Sequence, residues 1–397
     1  MTDIKEKKAN YLVRILGPLF IIIFTLLCMF FAIEVYIRIG FDTLPAGVQG
    51  DIQAVRRVPW SEERIIRPIP FLADRNYQAR LEPNLQDFPV RWKDARFRFT
   101  TRELWEGHPV GLRTDEIRWP LDLAAFGDSF TFCWTDVEDC WVQKLQNDYG
   151  YSVLNAGQPG TGSGGQLQLM KEILEPIQAP LVIWQWYGND LQDDYVLATF
   201  RGETTELPGP PGPIPAVEPK GFERYSALYF MLQLYILNPP QVQKPYLEYI
   251  DVEIQGRKVS FATDEYTHSF SLSWPSVAYG WERHVQHHEE AAALVDELGA
   301  ELLLVLIPTK EEAFQAYLDD YRPEFFEEAA EGRKAMIALC EERKWHCIDM
   351  LPIFQEAIHD GETVYYAGDF HLNASGNAIV AQVVHDYIVE HNLIHQP

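Results

Sequence analysis

Ala124-Ala125-Phe126-Gly127-Asp128-Ser129-Phe130-Thr131-Phe132 decides the fold. A short apolar run, reading as a buried strand, ends in Gly-Asp-Ser and turns toward a helix. That arrangement puts the Ser129 hydroxyl at the carboxyl end of a strand, where open α/β sheets hold their ligands. A lone Gly-Asp-Ser is weak evidence, but three further blocks follow it in order. They are Asn155-Ala156-Gly157-Gln158-Pro159-Gly160, Tyr187-Gly188-Asn189-Asp190 and Asp369-Phe370-His371-Leu372-Asn373.

Outward from this stretch, strands alternate with helices. Strands are expected at Leu123 to Phe126, Ser152 to Asn155, Leu181 to Trp186, Glu301 to Ile307 and within Trp345 to Met350. Helical spacing marks Val137 to Tyr149, Gln166 to Leu174, Glu282 to Leu298, Pro323 to Arg343 and Ala374 to His391. This alternation predicts an α/β fold with a parallel sheet covered on both faces. The core is expected over 121–195 and 277–397. A polar, aromatic-rich preface over 39–120, with Trp60, Trp92, Trp105 and Trp119, should pack on it.

The run Pro208-Gly209-Pro210-Pro211-Gly212-Pro213-Ile214-Pro215 breaks the rhythm, because it cannot continue a helix or a central strand. It lies in an insertion over 196–276. Within it, Tyr246 to Phe261 alternates around Gln255-Gly256-Arg257 as a hairpin would. Tyr225 to Leu237 is apolar but too short to cross a bilayer. It could touch lipid or line a cleft, and packing on the core is the simpler expectation.

Ile15 to Ile33 holds no charged residue, and about twenty apolar residues span a bilayer as a helix. No small-residue cleavage site follows, since Glu34-Val35-Tyr36-Ile37-Arg38 comes directly after. Residues 15–38 therefore read as a transmembrane anchor. Lys5, Lys7, Lys8 and Arg14 precede it, and only Arg38 lies close behind. The excess of positive charge places residues 1–14 in the cytoplasm and the folded part outside, periplasmic or extracellular.

The net charge of −25 repels phosphate backbones, so nucleic acid is excluded as a partner. With 47% hydrophobic and 13% aromatic residues, the chain can fill a large core. An oxidising compartment permits disulfides. The simplest of three connectivities pairs Cys133 with Cys140 and Cys340 with Cys347, with free buried thiols as the alternative. Cys28 lies in the span. No Cys-x-x-Cys spacing suggests zinc. His284, His287 and His288 share a helix at metal-like spacing, but without a carboxylate–histidine motif they read as a solvated face.

A serine hydroxyl needs a neighbouring base to become a nucleophile. His371 is the natural base, and Asp369 could hold its imidazole in the required tautomer. An acyl-transfer transition state also needs oxyanion donors. The backbone N–H groups of Ser129 and Gly160 and the side-chain amide of Asn189 can supply them. Gly160-Thr161-Gly162-Ser163-Gly164-Gly165 also fits a dinucleotide fingerprint, but Gln158-Pro159 separates it from the strand and no acidic strand end follows at the right distance.

The four blocks, in this order, resemble the SGNH (GDSL) hydrolase superfamily over roughly residues 121 to 195 and 300 to 390. The resemblance implies a three-layer α/β/α sandwich, Ser129 as nucleophile, Gly160 and Asn189 in the oxyanion hole, and Asp369 and His371 as acid and base. It implies no cofactor and no metal. The last block is Asp-x-His where the family commonly has Asp-x-x-His. This spacing resembles the branch that includes membrane-linked polysaccharide O-acetyltransferases. A glycine common four residues after the nucleophile is Cys133 here.

The expected function is that of an anchored extracytoplasmic serine esterase working through an acyl-enzyme on esters of carbohydrate or envelope polymers. The alternatives are an O-acyltransferase acting on exopolysaccharide and a catalytically silent scaffold. Expected partners are the bilayer, an acyl-ester or glycan substrate and other polysaccharide-assembly proteins. Trp184, Trp186 and Tyr187 would suit sugar stacking or core packing equally.

Overall fold

A computed structural model describes residues 2–39, 65–66, 71–92, 94–114, 116–209, 222, 226–237, 249–262, 270–318 and 323–394. Trp60 and most of the proline run, 210–215, lie outside the described residues. The chain divides into two units, one holding residues 1–62 and 217–242 and the other 63–216 and 243–397.

The larger unit is built on five parallel strands: β1 Leu123–Phe126, β2 Val153–Asn155, β3 Leu181–Trp186, β4 Glu301–Leu306 and β5 His346–Asp349. Their spatial order is β5-β4-β3-β1-β2, with every pairing parallel. The chain winds outward from β1 to β2, then returns past β1 to β3 and continues the other way. The switch point between β1 and β3 is where such sheets leave a crevice at their carboxyl ends.

The strands read as unbroken apolar runs because both faces are covered. Leu123, Ala125, Leu181, Ile183, Leu303 and Val305 point into one core, packed by helices Trp141–Tyr149, Leu351–His359 and Ala374–His391. Ala124, Phe126, Val182, Trp184, Leu302 and Leu304 point into the other, packed by Ser163–Ile177, Pro275–Glu297 and Pro323–Arg343. The strict alternation along each strand is the pleat's period of two, and it makes the three-layer sandwich.

Two antiparallel sheets precede the parallel one. In the first, Phe71–Asp74 pairs with both Ile65–Ile66 and Gln78–Leu81, and in the second Phe88–Trp92 pairs with Ala95–Phe99. Their inward residues Leu81, Val90, Phe97 and Phe99 form a third core with Phe132 and Trp134, just beyond Ser129. The preface thus packs beneath the turn that carries Ser129.

The hairpin within the insertion is present, with Tyr249–Ile254 against Arg257–Ala262. Gln255 and Gly256 connect the strands, both with positive φ. That is the two-residue turn whose twist matches the strands.

In the other unit, Thr2–Ile39 is one helix containing the apolar segment Leu16–Ile37, whose large side chains from Leu16 to Ile33 are mostly exposed while Ile37 is buried. Helix Ala227–Leu232 packs on it, where the sequence led to the expectation that Tyr225 to Leu237 would pack on the core. Glu34 causes this: its carboxylate accepts from Ser226 Oγ (3.0 Å), Ala227 N (3.1 Å) and Leu228 N (2.9 Å). A carboxylate at a helix N-terminus satisfies donors that the helix itself cannot.

Candidate active site

Ser129 opens the short helix Ser129–Phe132 immediately after β1. Asp128 caps that turn, its Oδ1 accepting from Phe130 N at 2.9 Å. Gly127 precedes it at φ +149°, where a Cβ would overlap Thr131 Oγ1 and the Gln185 amide. The strand therefore turns abruptly and presents Ser129 at the sheet edge.

The loop before the last helix brings the base. His371 Nε2 lies 2.9 Å from Ser129 Oγ. His371 Nδ1 lies 2.5 Å from Asp369 Oδ1, which also accepts from the His371 backbone N at 3.0 Å. The carboxylate fixes the tautomer: Nδ1 carries the proton, leaving the Nε2 lone pair for the serine O–H. With Asp-x-His spacing, one carboxylate oxygen meets both the backbone and the ring of the residue two ahead. The three groups lie far apart in sequence and are joined by the parallel sheet.

Aromatic rings enclose the imidazole. Trp134 stacks on it with centroids 4.5 Å apart, and Phe370 and Phe130 lie at 4.3 Å and 5.2 Å. Ser129, His371 and Asp369 are all buried.

Gly160 follows β2 and Asn189 follows β3, so both lie on the carboxyl edge that carries Ser129. Gly160 has φ +72°, a left-handed conformation that glycine adopts without strain. Asn189 Nδ2 donates to Asp193 Oδ2 at 3.0 Å. Asp193 also accepts from Gln78 of the preface at 2.9 Å.

Carboxylates line this edge. Burial pushes Asp128 up to about 6 against the hydrogen bond from Phe130 N and the His371 charge. It pushes Asp193 up to about 7, with the charges of Asp128 and Asp194 adding to it. Asp190 is raised well above the usual range by burial and then by Asp128. Around them, Asp128 Oδ2, Asn189 Oδ1, Gln185 Nε2 and Trp134 Nε1 are buried without a hydrogen-bond partner among the described residues. Such orphaned atoms are rare in a finished core and accumulate at functional sites.

Several expectations need correction. His284 and His288 are fully buried and His287 nearly so, not a solvated face. His284 Nδ1 lies 2.9 Å from Asp194 Oδ2, and Ser163 Oγ lies 2.5 Å from the same oxygen and 2.9 Å from His287 Nδ1. Burial alone would raise Asp194, but the hydrogen bonds from His284 and His287 outweigh it and hold the carboxyl well below the usual range. The histidines tie three helices together through one carboxylate. Pattern reading missed this because Asp194 is about ninety residues away in sequence.

Gly162, Gly164 and Gly165 of the dinucleotide-like run serve packing. A Cβ at Gly164 would meet the His287 ring at 2.8 Å, one at Gly162 would meet Asp190 and Asp194 at 2.8 Å, and one at Gly165 would overlap Tyr77. Trp184, Trp186 and Tyr187 are all buried, which makes them core residues rather than a sugar platform. The structure forms the Cys133–Cys140 and Cys340–Cys347 disulfides, and Cys28 is exposed on its helix. No group of three or more metal-ligating side chains is found among the described residues.

Residues 275–396 match the family model described as SGNH hydrolase-like domain, acetyltransferase AlgX. That match contains Asp369 and His371 and stops short of Ser129, Gly160 and Asn189. No significant match was found among curated protein sequences. Solved structures with similarity include a member of the lipolytic protein G-D-S-L family from Veillonella parvula DSM 2008, 13% identical, TM-score 0.36, covering 68% of this chain and 96% of that one. An acetyl xylan esterase is 12% identical, TM-score 0.38, with 67% and 99% covered. A catalytic mutant of an acetylxylan esterase from Geobacillus stearothermophilus is 12% identical, TM-score 0.36, with 68% and 94% covered.

Proposed function

We propose that this chain, an SGNH-type protein on the acyltransferase-like side of that superfamily, is a membrane-anchored serine enzyme that forms an acyl-enzyme at Ser129. The observation that carries the reading is the unbroken hydrogen-bonded series Ser129 Oγ, His371 Nε2, His371 Nδ1 and Asp369 Oδ1. His371 takes the serine proton as Oγ attacks an ester carbonyl, and returns it to the departing alcohol. Asp369 holds the ring and favours the imidazolium formed on the way. The Ser129 and Gly160 N–H groups and the Asn189 amide receive the oxyanion.

The acyl group then passes to water or to a sugar hydroxyl. Transfer is the reading favoured by the description of the matching family model, an acetyltransferase. Hydrolysis remains the simpler chemistry, with water as acceptor. The substrate class we infer is an acyl ester of a carbohydrate or cell-envelope polymer.

Anchoring rests on the apolar segment Leu16–Ile37 and on Glu34, whose carboxylate is engaged by residues 226–228. A signal peptide removed after export would leave those donors without their acceptor. We place the N-terminus in the cytoplasm and the catalytic unit outside it.

The test is product analysis. The full chain in detergent is given an activated acetyl ester, with and without a glycan acceptor, beside Ser129→Ala. Free acetate alone identifies a hydrolase, and acetylated glycan a transferase. Turnover that survives in Ser129→Ala overturns Ser129 as the nucleophile, and none in either protein sinks the reading in favour of a silent scaffold.

A further inference from the structure

Lys310 is a buried cation that the reaction above does not use. It follows β4 and opens the short helix Lys310–Ala313, where Thr309 and Glu312 form a reciprocal cap. Its side chain is only 1% exposed. The ammonium, with its three N–H donors, lies within hydrogen-bond distance of four carbonyl oxygens: Ser260 at 2.9 Å, Tyr366 at 2.7 Å, Ala367 at 2.9 Å and Asp369 at 3.1 Å. It also lies 5.1 Å from the centre of the Phe261 ring.

Three of those carbonyls belong to the loop that carries the acid and base. Carbonyl dipoles converging on one point repel each other unless a cation sits among them, so the loop's conformation depends on the ammonium. The fourth carbonyl belongs to the insertion hairpin, whose Ser260 N also donates to Ala367 O at 2.8 Å. On its other side, the loop is held by Asp94, which accepts from Gly368 N at 2.9 Å. The turn closes on itself through Tyr366 N and His371 O at 3.1 Å. Burying an ammonium costs several kcal/mol unless it is well solvated by the fold, and these carbonyls supply that solvation.

We propose that Lys310 is the positioning residue for the Asp369–His371 pair, and that it makes the insertion hairpin part of the catalytic frame. This rests on the functional reading above. The ammonium fixes the Asp369 main chain, and with it the direction of the carboxylate toward Nδ1.

The experiment uses the full chain in detergent, as wild type, Lys310→Met and Lys310→Arg. It measures the rate of Ser129 acylation by a fluorophosphonate against pH, normalised to the fraction that finally reacts. A second readout is the proton resonance of the His371 ring N–H in histidine-labelled protein. We expect Lys310→Met to acylate about ten- to a hundredfold more slowly. Lys310→Arg, which keeps a cation with several N–H donors, should restore most of the rate.

A Lys310→Met protein with the wild-type rate overturns the proposal. Where Lys310→Met does not fold, Lys310→Gln takes its place and is judged by the same rate and resonance. Where the wild type is not acylated, the functional reading falls and the resonance still decides. Loss or broadening in Lys310→Met supports positioning, and an unchanged signal refutes it.

Discussion

The indole of Trp134 lies parallel to the imidazole of His371, with planes within 7° and centroids 4.5 Å apart. Trp134 itself rests against Phe97 of the preface at 5.7 Å. The imidazole is thus held at its Nδ1 edge by Asp369 and on one face by a stack reaching back to a hairpin that precedes the sheet. Trp134→Ala should slow Ser129 acylation about tenfold by freeing the ring, whereas Trp134→Phe should retain most of the rate. Stopped-flow acylation of the two variants checks this, and equal rates would show the stack to be passive.

Asn189 should behave as an oxyanion donor. Asn189→Ala is expected to lower turnover of an activated ester by about 10²- to 10³-fold while leaving substrate binding nearly unchanged. A change confined to KM would instead make it a ground-state contact.

Asp193 links that donor to pH. Its carboxyl, raised by burial to about 7, accepts from the Asn189 and Gln78 amides when ionised. Turnover should rise through about pH 7 on this account, and Asp193→Asn should remove the inflection. The effect on stability has the opposite sense. The folded group binds its proton more tightly than the unfolded one, whose ordinary value is 3.8, so its contribution falls as pH rises from about 4 to 7. Urea midpoints should therefore show Asp193→Asn gaining on wild type between pH 4 and 8.

The Asp194 cluster predicts acid sensitivity. Asp194 is held low, while His284 and His288 are kept neutral by burial, His288 far below the ordinary 6.5. Unfolding lets these histidines take up protons, so stability is lost as pH falls below about 6.5, and further as Asp194 protonates. Asp194→Ala should cost about 3 kcal/mol or more, because the histidines and Ser163 lose a buried acceptor. Chemical denaturation at pH 8 checks the loss, and a change below about 1 kcal/mol would place little weight on the cluster.

The parts of this fold that were legible in the sequence were those with local signals. Buried parallel strands announce themselves as apolar runs, and the Gly-Asp-Ser turn and the Asp-x-His block carry their chemistry in adjacent residues. The hairpin at Gln255-Gly256 was readable from alternation and turn residues alone. What was not legible depends on distant partners. His284, His287 and His288 looked solvated because nothing near them in sequence names Asp194. Lys310 carries no signal in the sequence, since its acceptors are main-chain carbonyls that no residue type reveals. Helix Asp190–Arg201 was not among the expected helices, because its early aspartates, Asp190, Asp193 and Asp194, carry no apolar signal although the fold buries or half-buries them.

The central claim is that Ser129 is an activated nucleophile. The most direct test is intact-mass analysis of the full chain after exposure to a fluorophosphonate, with Ser129→Ala and His371→Ala alongside. The account predicts a single adduct on Ser129, absent from Ser129→Ala and formed about 10²- to 10⁴-fold more slowly in His371→Ala. A folded wild-type protein that takes up no adduct, or one labelled equally in Ser129→Ala, would contradict it.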